Sequence, residues 1–172
     1  MNNIIRAVEK TILFGQTSVD AYKLENYKFE KRFGATGVSE ALGYSKQWFG
    51  TFTKRPSKRL EALRREGFTG SQIEVRVPHQ DGQRGASIAK TISIRDFNKL
   101  IAYEAIKKKN IKAIILLVAL SEAGLERVIN DAFNGVSLEW FGEKIVHYTN
   151  WTYEELEEVL AYNREDKRSL YF

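Results

Sequence analysis

The stretch that most constrains this chain is Gly34 to Arg65, GATGVSEALGYSKQWFGTFTKRPSKRLEALRR. A short apolar-periodic helix (Val38, Ala41, Leu42) breaks there at Gly43 and restarts at Ser45. Two helices that cross at a tight turn need a small residue where their backbones meet and a residue tolerant of positive φ at the turn; Ser39 and Gly43 supply both. Leu42 is then placed beneath the turn, Tyr44 follows the glycine as an apolar staple, and Ser45 offers an oxygen to cap the second helix. Phe49 is expected to point into the core, leaving Lys46, Gln47, Gly50, Thr51 and Lys54 facing outward. This is the grammar of a helix-turn-helix, whose second helix, expected here over Ser45 to Thr53, reads base edges in the major groove with residues of this kind. The same LGYS segment can also join two short helices that bind nothing.

The charge that follows favours binding. From Tyr44 to Arg65 there are seven basic residues (Lys46, Lys54, Arg55, Lys58, Arg59, Arg64, Arg65) and one acidic residue, Glu61. A solvated helix face ordinarily mixes signs to gain i,i+4 pairs, so a one-sided run asks for an external anion, and nucleic-acid phosphate is the expected one. The rest of the composition bounds this reading. With 172 residues, 43% hydrophobic and 28% charged, the chain suits one ordinary domain, or one domain with a helical appendage. The net charge of +5 is moderate, and its uneven placement carries the information. The absence of cysteine excludes a disulfide framework, a thiolate zinc finger and a cysteine nucleophile, and makes the cytoplasm the expected address. The opening MNNIIRAVEKTILFG is interrupted by Arg6, Glu9 and Lys10, so no signal-peptide core is expected. The most apolar run, Ala113 to Leu120, is too short to span a bilayer, so no membrane is expected. His79 and His147 form no spaced metal motif, and neither metal nor cofactor is expected.

Taken in order, Ile4 to Lys10 reads as a short helix or a lead-in, and β-branched and aromatic residues then take over, with a β-hairpin expected to turn at Glu25-Asn26. Pro56 suits the first turn of a third helix that runs to Arg65 on a Leu60 and Leu63 stripe. Ile73, Val75 and Val77 alternate as a strand with Lys90 to Ile94 as its partner. The polar segment His79 to Ser87 between them, carrying Arg84, has the shape of a wing or of an ordinary surface loop. Ser93 and Asp96 open a helix expected through Lys109, and Ile111 to Phe133 reads as a central core helix or a dimer interface. Ser137 caps a further helix and Thr152 with Glu155 makes a capping box. Glu143 to Phe172 holds seven acidic and four basic residues, the reverse of the Tyr44 to Arg65 polarity.

The order of a hairpin, then VSEALGYS, then a later strand pair and SIRDFNKLIAYEAI resembles the amino-terminal domains of phage and cyanobacterial antirepressor-like proteins of the Bro and KilA type. The corresponding residues are Glu40 to Ser45 and Thr91 to Ile101, within an order of elements that spans Val19 to Phe133. The chain departs from that pattern in its long basic third helix and its acidic tail. What the resemblance implies is DNA binding, usually as a regulator in a mobile element.

The rival reading is a compact Mg²⁺-dependent, sequence-specific endonuclease of homing or restriction type, which needs clustered carboxylates and often a lysine. Glu74-Val75-Arg76 sits on an expected strand with Asp20 or Glu30 upstream and Asp81 nearby, but arginine stands where lysine is wanted. A solvent face explains the Glu74 and Arg76 alternation, and AGLERVINDAF matches a LAGLIDADG motif only faintly and once. A protein-interaction adaptor built on the acidic tail is a third class, but it leaves the basic run unexplained.

The expectations combine into an α+β, mainly helical chain: a winged helix-turn-helix-like body over 1–135 with an N-terminal β-hairpin, and an acidic helical tail over 136–172. It is expected to bind double-stranded DNA as a homodimer and to act as a transcriptional regulator or mobile-element protein, with no catalytic residue assigned. Ser45, Lys46, Gln47, Thr51 and Lys54 would face bases or phosphate. Arg55, Lys58, Arg59, Arg64 and Arg65 would neutralise backbone, and Arg84 and Lys90 would anchor the wing.

Overall fold

The computed structural model describes residues 4–26, 28–79 and 83–147. Asp81, the Thr152 and Glu155 capping box and most of the acidic tail lie outside them. The chain divides into two compact units, Met1–Leu117 and Val118–Phe172.

The first unit is built on strands. β1 (Ile5–Phe14) and β2 (Thr17–Leu24) form an antiparallel hairpin that turns at Gly15, whose φ of +67° a side chain would resist. β3 (Lys31–Gly34) adds to β2, with Tyr22 opposite Arg32, so the hairpin expected around Glu25-Asn26 exists with a short second arm. β4 (Ile73–Pro78) and β5 (Ala86–Ser93) pair antiparallel; β5 also joins β3, and β4 meets β1 in parallel through Ile5 opposite Val75. The order β1-β2-β3-β5-β4 is thereby closed into a barrel.

This closure overturns the winged helix-turn-helix body. A wing is a hairpin with free edges, whereas β4 and β5 are each hydrogen-bonded on both sides. Their inward residues explain why. Val75 is fully buried with Ala7, Tyr22 and Leu24, and Ile5, Ile73, Val77 and Ala89 pack around them, so the alternation in IEVRV fills a barrel interior. Buried Arg32 ties the seam, donating from Nε to Thr91 Oγ (2.9 Å) and from Nη2 to the Thr91 carbonyl (3.3 Å), while Thr91 Oγ donates to the Ile73 carbonyl (2.9 Å). The opening segment is likewise corrected from helix or lead-in to a ten-residue strand. Its exposed Val8, Ile12 and Leu13 obscure the alternation that its buried Ala7 serves.

The helices cover one side of the barrel. α1 (Ala35–Ala41) and α2 (Trp48–Lys54) are joined by a turn at Gly43, whose φ is +86°. Ser39 is fully buried and links the two helices, donating to the Ala35 carbonyl (2.8 Å) and accepting from the Phe49 N–H (3.2 Å). Ser45 does not cap α2. The Ser45 carbonyl accepts from the Trp48 N–H (3.0 Å), so residues 45–47 form a turn and the helix begins three residues later than expected. α3 (Lys58–Arg65) is capped by Ser57, which accepts from the Leu60 N–H (3.1 Å), and it buries Leu60 and Leu63; Pro56 therefore precedes the cap and is not in the helix's first turn. α4 (Ile94–Ile106) is capped by Ser93 and ends before the lysine run. The main core lies between these helices and the sheet, where Phe14, Phe33 and Phe97 pack with ring centroids 5.1–6.2 Å apart.

α5 (Ile111–Phe133) is not a central core helix. Of its 23 residues only Ala113 and Leu116 are buried. In the second unit, α6 (residues 139–147) turns back so that Trp140 Nε1 donates to Asp131 (3.2 Å) and the Arg127 guanidinium lies 4.0 Å from the Trp140 ring centre. Among the described residues no helix is long and apolar enough to cross a membrane.

Candidate nucleic-acid interface

A groove of about 1220 Å³ opens where the outer face of α2 meets the barrel. Its floor exists because α1 lies almost directly on β2. A Cβ at Gly37 would stand 2.8 Å from the Val19 Cα, a distance no side chain tolerates, and one at Gly34 would touch the Tyr22 ring at 3.3 Å. Glycine at both positions lets the helix settle onto the strand, and Ser18, Asp20 and Tyr22 of β2 form one wall beside it.

The opposite wall is α2. Phe49 is fully buried and fixes the helix's rotation, which turns Gln47, Gly50, Thr51 and Lys54 toward the groove, with Lys46 before them and Arg55 after. Lys90 reaches the same groove from β5. The third edge is the segment of Gly70 and Gln72. It is held by Asp96, which is 1% exposed and accepts from the Thr69 N–H (3.0 Å), the Thr69 hydroxyl (2.7 Å) and the Gly70 N–H (3.1 Å). Gly70, with φ +65°, then sits against the Thr53 side chain of α2. The Asp96 carboxylate thus fastens a loop rather than completing a capping box.

Four cations, Lys46, Lys54, Arg55 and Lys90, therefore share one concave surface with the amide of Gln47 and the hydroxyl of Thr51. Two carboxylates enter it, Asp20 and Glu40. Glu40 lies 4.0 Å from Lys46 Nζ, and Asp20 accepts from the Thr11 hydroxyl (2.8 Å). Tyr22 also lines the groove. Burial first, then its hydrogen bond to Glu9 (2.9 Å) and the negative charges of Glu9 and Asp20, push its hydroxyl well above the ordinary tyrosine range.

The remaining residues of the sequence-derived set lie elsewhere. Ser45 is exposed in the turn before α2, Lys58, Arg64 and Arg65 are exposed on α3, and Arg84 is exposed near the tip of the β4–β5 hairpin; none of them lines the groove. Arg59 turns inward. Its guanidinium pairs with the fully buried Glu104 and sits 5.0–5.7 Å from the ring centres of Tyr44, Trp48, Phe52 and Tyr103. Glu104 is also the acceptor for the Tyr44 hydroxyl (2.6 Å) and the Asn110 amide (3.0 Å). Tyr44, Trp48 and Phe52 stack in sequence, 4.2 and 4.8 Å apart, as a ladder on the side that holds Arg59. A positive charge among aromatic faces and beside a carboxylate is held by the fold rather than offered to a ligand.

Ser18, Glu40 and Gln72 belong to the groove without a signal in the sequence, and Asp20, weighed above as a metal ligand, lies there with them. The described carboxylates of the endonuclease reading have partners of their own. Glu30 is 2.8 Å from the Arg32 guanidinium, and Glu74 stands opposite Lys90 in the β4–β5 register. Among the described residues no group of three or more histidine, cysteine, aspartate and glutamate side chains could hold a metal. Compared with protein-family models, with curated proteins and with solved structures, the chain matches none of them.

Proposed function

We propose that this protein binds double-stranded DNA through the groove, as a transcriptional regulator or mobile-element protein. The observation that carries the reading is the convergence of Lys46, Lys54 and Arg55 from the α2 segment with Lys90 from a strand distant in sequence. Four cations on one concave surface against two carboxylates attract a polyanion, and the fields of such clefts are focused by their low-dielectric walls. Gln47 and Thr51 sit between the cations and offer the neutral donors and acceptors that read base edges. The groove holds no stack of exposed aromatic rings of the kind that grips unpaired bases, since Phe49 and Tyr22 are buried; that favours a duplex over a single strand. The resemblance to Bro and KilA type domains points the same way.

The test is a fluorescence-anisotropy titration of a random-sequence duplex across a salt series. If the four cations contact phosphates, log affinity falls against log salt with a slope of roughly −3 to −4. The double variant Lys54→Glu, Arg55→Glu is expected to weaken binding by about a hundredfold at low salt and to flatten that slope. Wild-type affinity in the double variant would overturn the assignment of the groove.

A further inference from the structure

Among the described residues, one apolar stripe along α5 stays uncovered. Ile111, Ile115, Val118, Leu125 and Ile129 are 68, 62, 61, 69 and 56% exposed, and their alternating spacings of four and three put them on the a and d positions of a heptad. Glu122 occupies the one a position between Ile115 and Ile129. The opposite face is engaged only toward the two ends of the helix, and Leu120 between them is 44% exposed. Ala113 and Leu116 are buried in the core of the first unit, and in the second Arg127 and Asp131 are held by Trp140. A run of five large aliphatic side chains left open in register is far from the scattered apolar residues of an ordinary surface.

We propose that this stripe is covered by a second copy of the same chain, with the two α5 helices packed antiparallel about a two-fold axis. The charges choose the occupant and its direction. A parallel pair would set Glu122 against its own copy in the seam, with like charges meeting where water is excluded. The antiparallel pair places Ile111 against Ile129, Ile115 against Leu125, and Val118 against the aliphatic stem of Glu122. Exposed Lys112 and exposed Glu126 flank the seam on the same edge, so each Lys112 meets the Glu126 of the other copy, once at either end. The stripe is therefore complementary to itself in shape period and in charge. This inference stands apart from the groove and survives or fails without it.

Sedimentation equilibrium of the full chain at micromolar concentration is expected to give a dimer, and Leu125→Arg a monomer, with at least a hundredfold weaker association. Leu125 is too exposed for its replacement to open the core, so the variant's far-UV circular dichroism and melting curve should match those of the parent. Direction is read by oxidation, since the chain contains no cysteine. Ile115→Cys and Leu125→Cys are expected to cross-link when mixed, and neither is expected to cross-link efficiently alone. Efficient cross-linking of Ile115→Cys alone would overturn the antiparallel arrangement. A monomeric parent chain, or a dimer unmoved by Leu125→Arg, would overturn self-association through α5 altogether.

Discussion

Two basic segments stand side by side in the chain, Lys46 to Arg55 on and around α2 and Lys58 to Arg65 on α3, and in sequence they look like one run. In the fold they part. The first contributes its three cations, Lys46, Lys54 and Arg55, to a concave surface that Lys90 completes. The second sends Arg59 inward to Glu104 and leaves Lys58, Arg64 and Arg65 exposed outside the groove. Charge density is shared; curvature and neutralisation are not. A cation contributes to polyanion binding when its field adds to that of its neighbours across a low-dielectric wall, and it contributes to folding when a buried carboxylate and aromatic faces take up its charge.

The sharpest way to break this contrast is to remove the internal partner. Glu104→Gln leaves Arg59 without its counter-charge inside the aromatic cluster, and a loss of about 3–5 kcal/mol in unfolding free energy is expected, a fall in Tm on the order of 10 °C. Differential scanning calorimetry checks it. Stability unchanged in that variant would show that Arg59 is held by packing alone.

The groove cations should behave in the opposite way. Lys54→Glu with Arg55→Glu is expected to leave unfolding free energy within about 0.5 kcal/mol of the parent while reducing DNA affinity about a hundredfold. On α3, Lys58→Glu with Arg65→Glu is expected to change neither stability nor affinity by more than about threefold, the remainder being long-range attraction that salt screens. A reversal on α3 as damaging as that on α2 would merge the two segments into one binding surface.

The floor of the groove offers a third contrast, between shape and charge. Gly37→Ala forces a methyl group to within 2.8 Å of the Val19 backbone, so α1 must lift from β2. A cost of about 1–3 kcal/mol is expected, together with weaker DNA binding although no charge changes. Chemical denaturation and the same anisotropy titration measure both. The smallest effect concerns pH. Tyr22 is raised by burial and by Glu9, so its folded value lies above the unfolded one of about 10. The stability it contributes is fully present below that unfolded value and is lost as pH rises past about 10 toward the folded value. Tyr22→Phe should flatten the alkaline limb of the stability curve, and an unchanged limb would mean that another group governs it.

Much of the local structure was legible along the chain. Ser39, Gly43 and Phe49 do what their spacing implied, Ser93 caps the helix it precedes, and Thr51 and Lys54 share a face because Phe49 and their helical period put them there. These features depend on neighbours within a few residues, and the sequence by itself determined them. Barrel closure was not legible. An alternating strand such as IEVRV is equally suited to a free hairpin and to a barrel stave, and the difference lies in Ile5 meeting Val75 and Arg32 meeting Thr91 across long stretches of chain. The inward turn of Arg59 was hidden for the same reason, because Glu104 and Tyr103 come from a helix more than forty residues away. Local sequence sets which side chains share a helix face or a strand face. Which of those faces is closed, neutralised or left open depends on partners that only the tertiary fold brings near, because burial and charge compensation are properties of the surroundings and not of the residue.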